Sequence, residues 1–335
     1  MSPDTLPAAV RARRRTPLKT LGPGTWILIL SVAVAALVVT FMTIDLKGNL
    51  GYVLPLRANK VAAMLLVAYA VGISTVLFQT VTGNRILTPS IMGFDALYIL
   101  LQTFLAFTIG TQALMTMGAG TRFILEVVLM VGFSWLLYRW LFVGGGKSLH
   151  LVLLVGIVFG TLFRGISSLL QRLIDPSEFV VLQDLFFASF NNVDSSLLGV
   201  SALTILAASI AGWRIRNRFD VLALGRETAV NLGVNHRTTV TQVLVICSVL
   251  VAVSTALVGP ITFFGLLVAS VAYQLCSVFR HRYVLPIAVL LGAIALLGGQ
   301  LTLERIFGFD TALSIVIEFI GGIVFIALLL KGSVK

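Results

Sequence analysis

The chain has 335 residues, 58% hydrophobic and only 11% charged, with a formal net charge of +11 and a mean hydropathy of +1.04. A soluble domain carries about 25% charged residues, so this composition excludes a water-soluble globular protein and indicates an all-α polytopic membrane protein. The positive balance does not call for a nucleic-acid partner, because membrane proteins gather Lys and Arg in their cytoplasmic loops.

Residues 1–24 carry Arg11, Arg13, Arg14, Arg15 and Lys19. No small-residue cleavage site follows cleanly and many apolar runs come after, so the segment reads as a basic cytoplasmic tail rather than a signal peptide. A helix needs about 20 apolar residues to cross the hydrocarbon. By that length about ten transmembrane helices are expected, at 25–44, 61–82, 91–110, 121–142, 149–171, 193–213, 239–259, 261–279, 283–301 and 311–331. The third is weakened by Asp95 and Gln102, and only Gly259-Pro260 separates the seventh from the eighth. With the N-terminus inside, 17 of the 24 Lys and Arg fall on the inner side and 7 on the outer side. This bias and the even span count predict that both termini are cytoplasmic. One transmembrane domain, 25–331, is expected, with no separate soluble domain.

Two outer segments are long enough to pack: 46–56, and 174–193, which is half apolar and predicts a short helix lying against the bundle. Phe186, Phe187 and Phe190 in the second are candidate lining for a vestibule. Cys247 and Cys276 lie inside apolar runs and read as packing residues. His150, His236 and His281 are scattered near span ends, with no metal-ligand spacing. Gly146-Lys147-Ser148 suggests a phosphate loop, but the required first glycine falls on Leu141, so no ATP site is evident on this chain. No nucleophile–base or metal constellation is visible, so no enzyme activity is expected of it.

The longest polar interruption is 214–237, reading RIRNRFDVLALGRETAVNLGVNHR, with arginines at 214, 216, 218, 226 and 237. A basic loop of this kind belongs on the cytoplasmic side. Inside it a helix-like piece, 222–233, is bounded by glycines that permit a sharp entry and exit. It reads either as an amphipathic helix on the inner leaflet or as an element that docks into a groove on a soluble partner, with Ala229 and Leu232 filling the groove.

Charges within or near spans are costly, about 2.5–3.5 kcal/mol at the bilayer centre on insertion scales. Arg164, Glu126 and Glu318 are therefore expected to face a partner or a watery path: Arg164 sits beside an anionic substrate, anchors a helix end or pairs with a nearby acid, and the two glutamates either pair structurally or serve the path. Arg57, Lys60 and Arg305 at outer span ends either snorkel toward headgroups or meet a partner.

Several motifs, taken in order, resemble those of the FecCD permease family. Residues 56–95 hold Arg57 and Lys60, a small-residue helix with Ala62, Ala63, Ala68, Ala70, Gly72 and Ser74, then Gln79, Asn84, Pro89 and Gly93. Leu222, Ala223, Leu224, Gly225, Arg226, Glu227, Ala229, Leu232 and Gly233 are similar to the family's ATPase-coupling segment. Gly259-Pro260-Ile261-Thr262-Phe263-Phe264-Gly265-Leu266 is similar to its G-x-I-x-F-x-G-L segment. The resemblance spans about 45–331. Besides a short outer loop at 302–310, two departures stand out: Arg85 follows Asn84 where the family has proline, and 269–273 replaces its P-H-x-x-R.

The resemblance implies the transmembrane permease subunit of a binding-protein-dependent ABC importer in a bacterial cytoplasmic membrane, carrying a ferric siderophore by ATP-driven alternating access. It implies as partners a second permease subunit, two ATPase subunits that hold ATP and Mg, an extracytoplasmic substrate-binding protein, and lipid. No cofactor or metal is implied on this chain. Arg57, Lys60 and Arg305 become candidates for docking the binding protein, and Gln79, Asn84 and Arg164 for the translocation path. The alternatives are an ion-gradient-driven secondary transporter, which would want buried carboxylates and broken helices near the midplane, and an ABC permease for haem or cobalamin.

Overall fold

A computed structural model describes residues 21–45, 49–143, 149–191, 193–276, 278–305 and 313–330. Most of the expected basic tail, Lys47, the 144–148 turn and the 306–312 loop lie outside the described residues. Among the described residues all regular structure is helical: α1 (Pro23–Thr43), α2 (Leu50–Thr82), a 3-10 turn (Pro89–Met92), α3 (Phe94–Ile109), α4 (Thr111–Thr116), α5 (Ala119–Val143), α6 (Leu149–Gln171), α7 (Pro176–Asp184), α8 (Ser195–Arg214), α9 (Asn217–Leu222), α10 (Arg226–Asn231), α11 (His236–Val258), α12 (Phe264–Leu275), α13 (His281–Arg305) and α14 (Leu313–Leu330).

Seven of these helices are long and apolar enough to cross a membrane: α1, α2, α5, α6, α8, α11 and α13; three shorter apolar helices lie in α3, α12 and α14. The ten expected spans thus all hold helices, but the third and eighth are shorter than expected. Gly93 and Gly259 adopt positive φ angles of 93° and 97°; Gly93 precedes α3 and delays its start, and Gly259 ends α11 five residues before α12 begins. With 12 residues, α12 is about 18 Å long. The expected outer loop 46–56 is largely helix. Asn49 caps α2 by accepting from the Gly51 N–H at 3.0 Å, and the helix continues through Pro55. The expected short helix in 174–193 is α7.

The two most buried spans are α2 and α11, with 67% and 72% of their most apolar windows inside the protein. They pack on each other and carry the rest: α13 lies on α2, α5 and α8 on α11, α1 on α13, and α6 on α3. The small residues of α2 permit the closest of these contacts. A Cβ on Gly72 would sit 3.4 Å from the Ala288 backbone, and one on Gly292 would sit 3.3 Å from the Ala68 Cβ. Around this seam α1 is peripheral, burying only Leu30 and Phe41.

Candidate functional site

The basic loop folds into two short helices rather than the single piece expected over 222–233. The turn between α9 and α10 passes through Gly225 at φ 91° and ψ 168°, and Gly233 closes α10 at φ 81°. Only glycine reaches that first conformation without strain. Leu222 and Ala229 are buried in the chain's own packing at 4% and 0% exposure. Ala229 therefore does not fill a partner's groove; it seats α10 on this chain. The outward surface is made by Leu224, Val230 and Leu232, each more than half exposed, with Ala223, Arg226, Glu227 and Gly233 also exposed. An apolar triplet ringed by charge at a polar loop suits a protein groove.

The end of the molecule where α2 begins carries Arg57, Lys60 and Arg305. The Arg57 guanidinium donates to the carbonyls of Phe41 at 3.0 Å, Ile44 at 2.7 Å and Asp45 at 3.3 Å, closing the C-terminal end of α1. Lys60 pairs with Glu304 at 3.2 Å and donates to Asn191 Oδ1 at 3.0 Å. Arg305 pairs with Asp45 at 2.9 Å. All three cations thus hold elements of this chain together, and Arg305 and Asp45 remain partly open to solvent at 35% and 40% exposure. The sequence alone does not disclose Asp45, Asn191 and Glu304 as their partners, because the pairs are separated by up to 260 residues.

Near the other end, Gln79 is buried and donates from Nε2 to the Arg85 carbonyl at 2.6 Å. Asn84 Oδ1 accepts from the Ile86 N–H at 2.9 Å. Both side chains brace the turn that leaves α2. The two family departures meet in this place: Arg85 lies between the rings of Tyr273, 4.9 Å from its centroid, and Phe279, at 4.7 Å. A cation held between two aromatic faces fixes the turn.

The two breaks, at 83–93 and 259–263, face each other across a cavity of about 20 Å³ of mixed lining, with Thr75, Ser90, Asp95 and Thr262 among apolar residues such as Val71 and Ile261. That volume holds about one water. Arg164 is exposed on α6, beside the close approach of Gly160 to Gly93. Glu126 is fully buried and accepts from Gln102 at 2.5 Å and from Arg122 at 3.2 Å, the structural pairing expected of it. Phe190 is 1% exposed and belongs to the core, so it lines no vestibule. Residues 185–191 instead pack on the end of α11, where the Ser189 N–H donates to the Val258 carbonyl at 2.8 Å.

His281 is the residue that spacing analysis missed. Buried at the start of α13, it bonds both to Asp220 on α9 and to Thr80 on α2. Its partners lie 61 and 201 residues away, so no local motif reveals it.

The model of the FecCD transport family matches residues 25–331. The chain is 49% identical over 291 residues to the petrobactin import system permease protein YclO of Bacillus subtilis (strain 168), covering 87% of this chain and 92% of that one. It is 36% identical over 275 residues to the petrobactin import system permease protein FatC of Bacillus anthracis, covering 82% and 78%. A solved structure described as an inward-facing conformation of a metal-chelate type ABC transporter superposes with a TM-score of 0.81, covering 92% of this chain and all of that one. At 22% identity that likeness concerns the fold.

Proposed function

The chain belongs to the FecCD transport family, and from that premise we propose that it is the membrane-spanning permease of an ABC importer that brings a ferric siderophore into the cytoplasm. The two relatives at 49% and 36% identity are both petrobactin import permeases, so petrobactin is the siderophore we assign. The observation that carries the reading is the glycine-bounded element at 222–233, whose Leu224, Val230 and Leu232 stand outside the chain's own core.

In this reading the loop 214–238 faces the cytoplasm, as do both termini. Two ATPase subunits, holding ATP and Mg, take Leu224, Val230 and Leu232 in their grooves. A binding protein docks at the opposite, extracytoplasmic face around Arg57, Lys60 and Arg305. Because these cations already hold α1, α2 and α13 together, docking there bears directly on three spans. The cavity of about 20 Å³ between the breaks is far below the several hundred Å³ that a ligand the size of a chelate occupies. In this reading the path runs between two permeases, of the same or a related chain, with the exposed face of α6 and Arg164 toward it. Gln79 and Asn84 act at its inner end by holding the turn after α2. The chain performs no bond chemistry; ATP binding and hydrolysis on the ATPases turn the path from outward to inward.

The test is uptake of ⁵⁵Fe-petrobactin by cells lacking this chain and by cells complemented with it. Restored uptake that stops when ATP is depleted with the ion gradient kept supports the reading. Uptake that follows the ion gradient after ATP is gone would replace it with the secondary-transporter alternative.

A further inference from the structure

His281 stands where three elements meet. Its backbone N–H donates to Asp220 Oδ1 at 2.9 Å, and ring Nδ1 lies 2.6 Å from the same oxygen. A carboxylate only accepts, so Nδ1 carries a hydrogen. The other ring nitrogen, Nε2, shares a hydrogen bond with the Thr80 hydroxyl at 2.7 Å. Phe219, next to Asp220 on α9, sets its ring edge-on to the imidazole at 5.8 Å between centroids. Only 6% of His281 is exposed, whereas the Asp220 side chain is 49% exposed, so the ring is held in the packing while its carboxylate partner reaches solvent.

The three elements so joined have different jobs. Asp220 belongs to α9, which the Gly225 turn connects to the exposed helix α10. Thr80 lies in the last turn of α2, the 33-residue span at the centre of the bundle. His281 begins α13, which packs along α2 through Gly72, Ala288 and Gly292. Apolar packing of α9, through Phe219 and Leu222, resists separation but does not fix register, because it is non-directional. Directed bonds at two ends of one rigid ring fix where α9 sits relative to both spans.

We infer that His281 is the positioning residue through which displacement of the coupling segment moves α2 and α13 together. This rests on the importer reading above. The residue acts through Asp220 and Thr80 and touches neither ATP nor the transported chelate.

The experiment uses the whole importer, with its ATPases, second permease and binding protein, in proteoliposomes supplied with ⁵⁵Fe-petrobactin. ATP hydrolysis and uptake are measured in the same vesicles, and thermal melting in detergent on the same preparations. His281→Ala should retain the ATPase subunits yet lose roughly tenfold in chelate delivered per ATP. His281→Asn keeps a donor near Nδ1 but does not reach Thr80; His281→Gln reaches Thr80 but not Asp220. Each should fall between wild type and His281→Ala. Asp220→Ala should uncouple similarly, and combining it with His281→Ala should add little further loss.

If uptake and hydrolysis fall by the same factor in all of these variants, His281 only supports the fold and the inference is overturned. A His281→Ala protein that does not assemble leaves the Asn and Gln variants to decide in the same way. Wild-type vesicles that take up no chelate with ATP and all partners present would instead overturn the importer reading, before any variant is compared.

Discussion

Arg57 shows how one side chain can serve a fold and a function. Its guanidinium meets carbonyls that a helix C-terminus otherwise leaves without partners, those of Phe41, Ile44 and Asp45. A hydrogen bond from a charged donor contributes about 1.5–3 kcal/mol. Arg57→Ala should therefore lower the melting temperature in detergent, whereas Arg57→Lys, which reaches fewer carbonyls, should lower it less. A melting temperature unchanged by Arg57→Ala would mean the cap contributes nothing.

Asp220 gives a second residue-scale expectation. Partial burial would raise its carboxyl, but the backbone N–H and ring of His281, with Arg280 adding, hold it below its ordinary value. A depressed folded value means the stabilisation is complete above the unfolded carboxylate range and is lost as pH falls through the folded one. Wild type should lose more stability than Asp220→Asn between about pH 5 and about pH 3, read by thermal melting in detergent. Parallel curves would show that the carboxylate gives the fold no acid-side dependence.

At the scale of elements, glycines decide where the apolar runs stop being helix. Gly93 combines φ 93° with a site where a Cβ would lie 2.9 Å from the Gly160 Cα. Gly93→Ala brings backbone strain of about 1–3 kcal/mol and pushes α6 away from the 3-10 turn. We expect poor recovery of folded protein, partly restored by lowering the expression temperature. Full recovery and full uptake with alanine there would show that the close approach is dispensable.

The order of the apolar helices, the short helix α7, the small-residue seam of α2 and the helical content of the basic loop were legible in the sequence, because hydropathy and glycine placement are local signals, although that loop folds as two helices rather than one. What was not legible depended on distance along the chain. Arg57 read as a free outer cation, since nothing local says that the α1 carbonyls come to it. Ala229 read as a surface residue because a six-residue helix has too few positions to establish a face. The start of α2 was misread because Pro55, Arg57 and Lys60 resemble a loop, although the Asn49 cap carries the helix through them.

For the whole molecule, the proposed importer carries its substrate between two permeases, with the exposed face of α6 turned toward the path. Arg164 is the charge on that face. Arg164→Glu should reduce ⁵⁵Fe-petrobactin uptake roughly tenfold, the scale of about 1.4 kcal/mol in a transport barrier, while the ATPase subunits remain bound. Uptake at the wild-type level would place Arg164 away from the path.

In the importer reading, energy reaches this chain from separate ATPase subunits through the element around Gly225. The most direct measurement is co-purification in detergent with the products of its neighbouring genes, comparing wild type with Gly225→Asp, Glu227→Arg and the pair Leu224→Asp with Leu232→Asp. Wild type should hold an ATPase subunit and the variants should release it, each of them still melting cooperatively. An ATPase held equally by all of them, or none held by wild type, would contradict that reading.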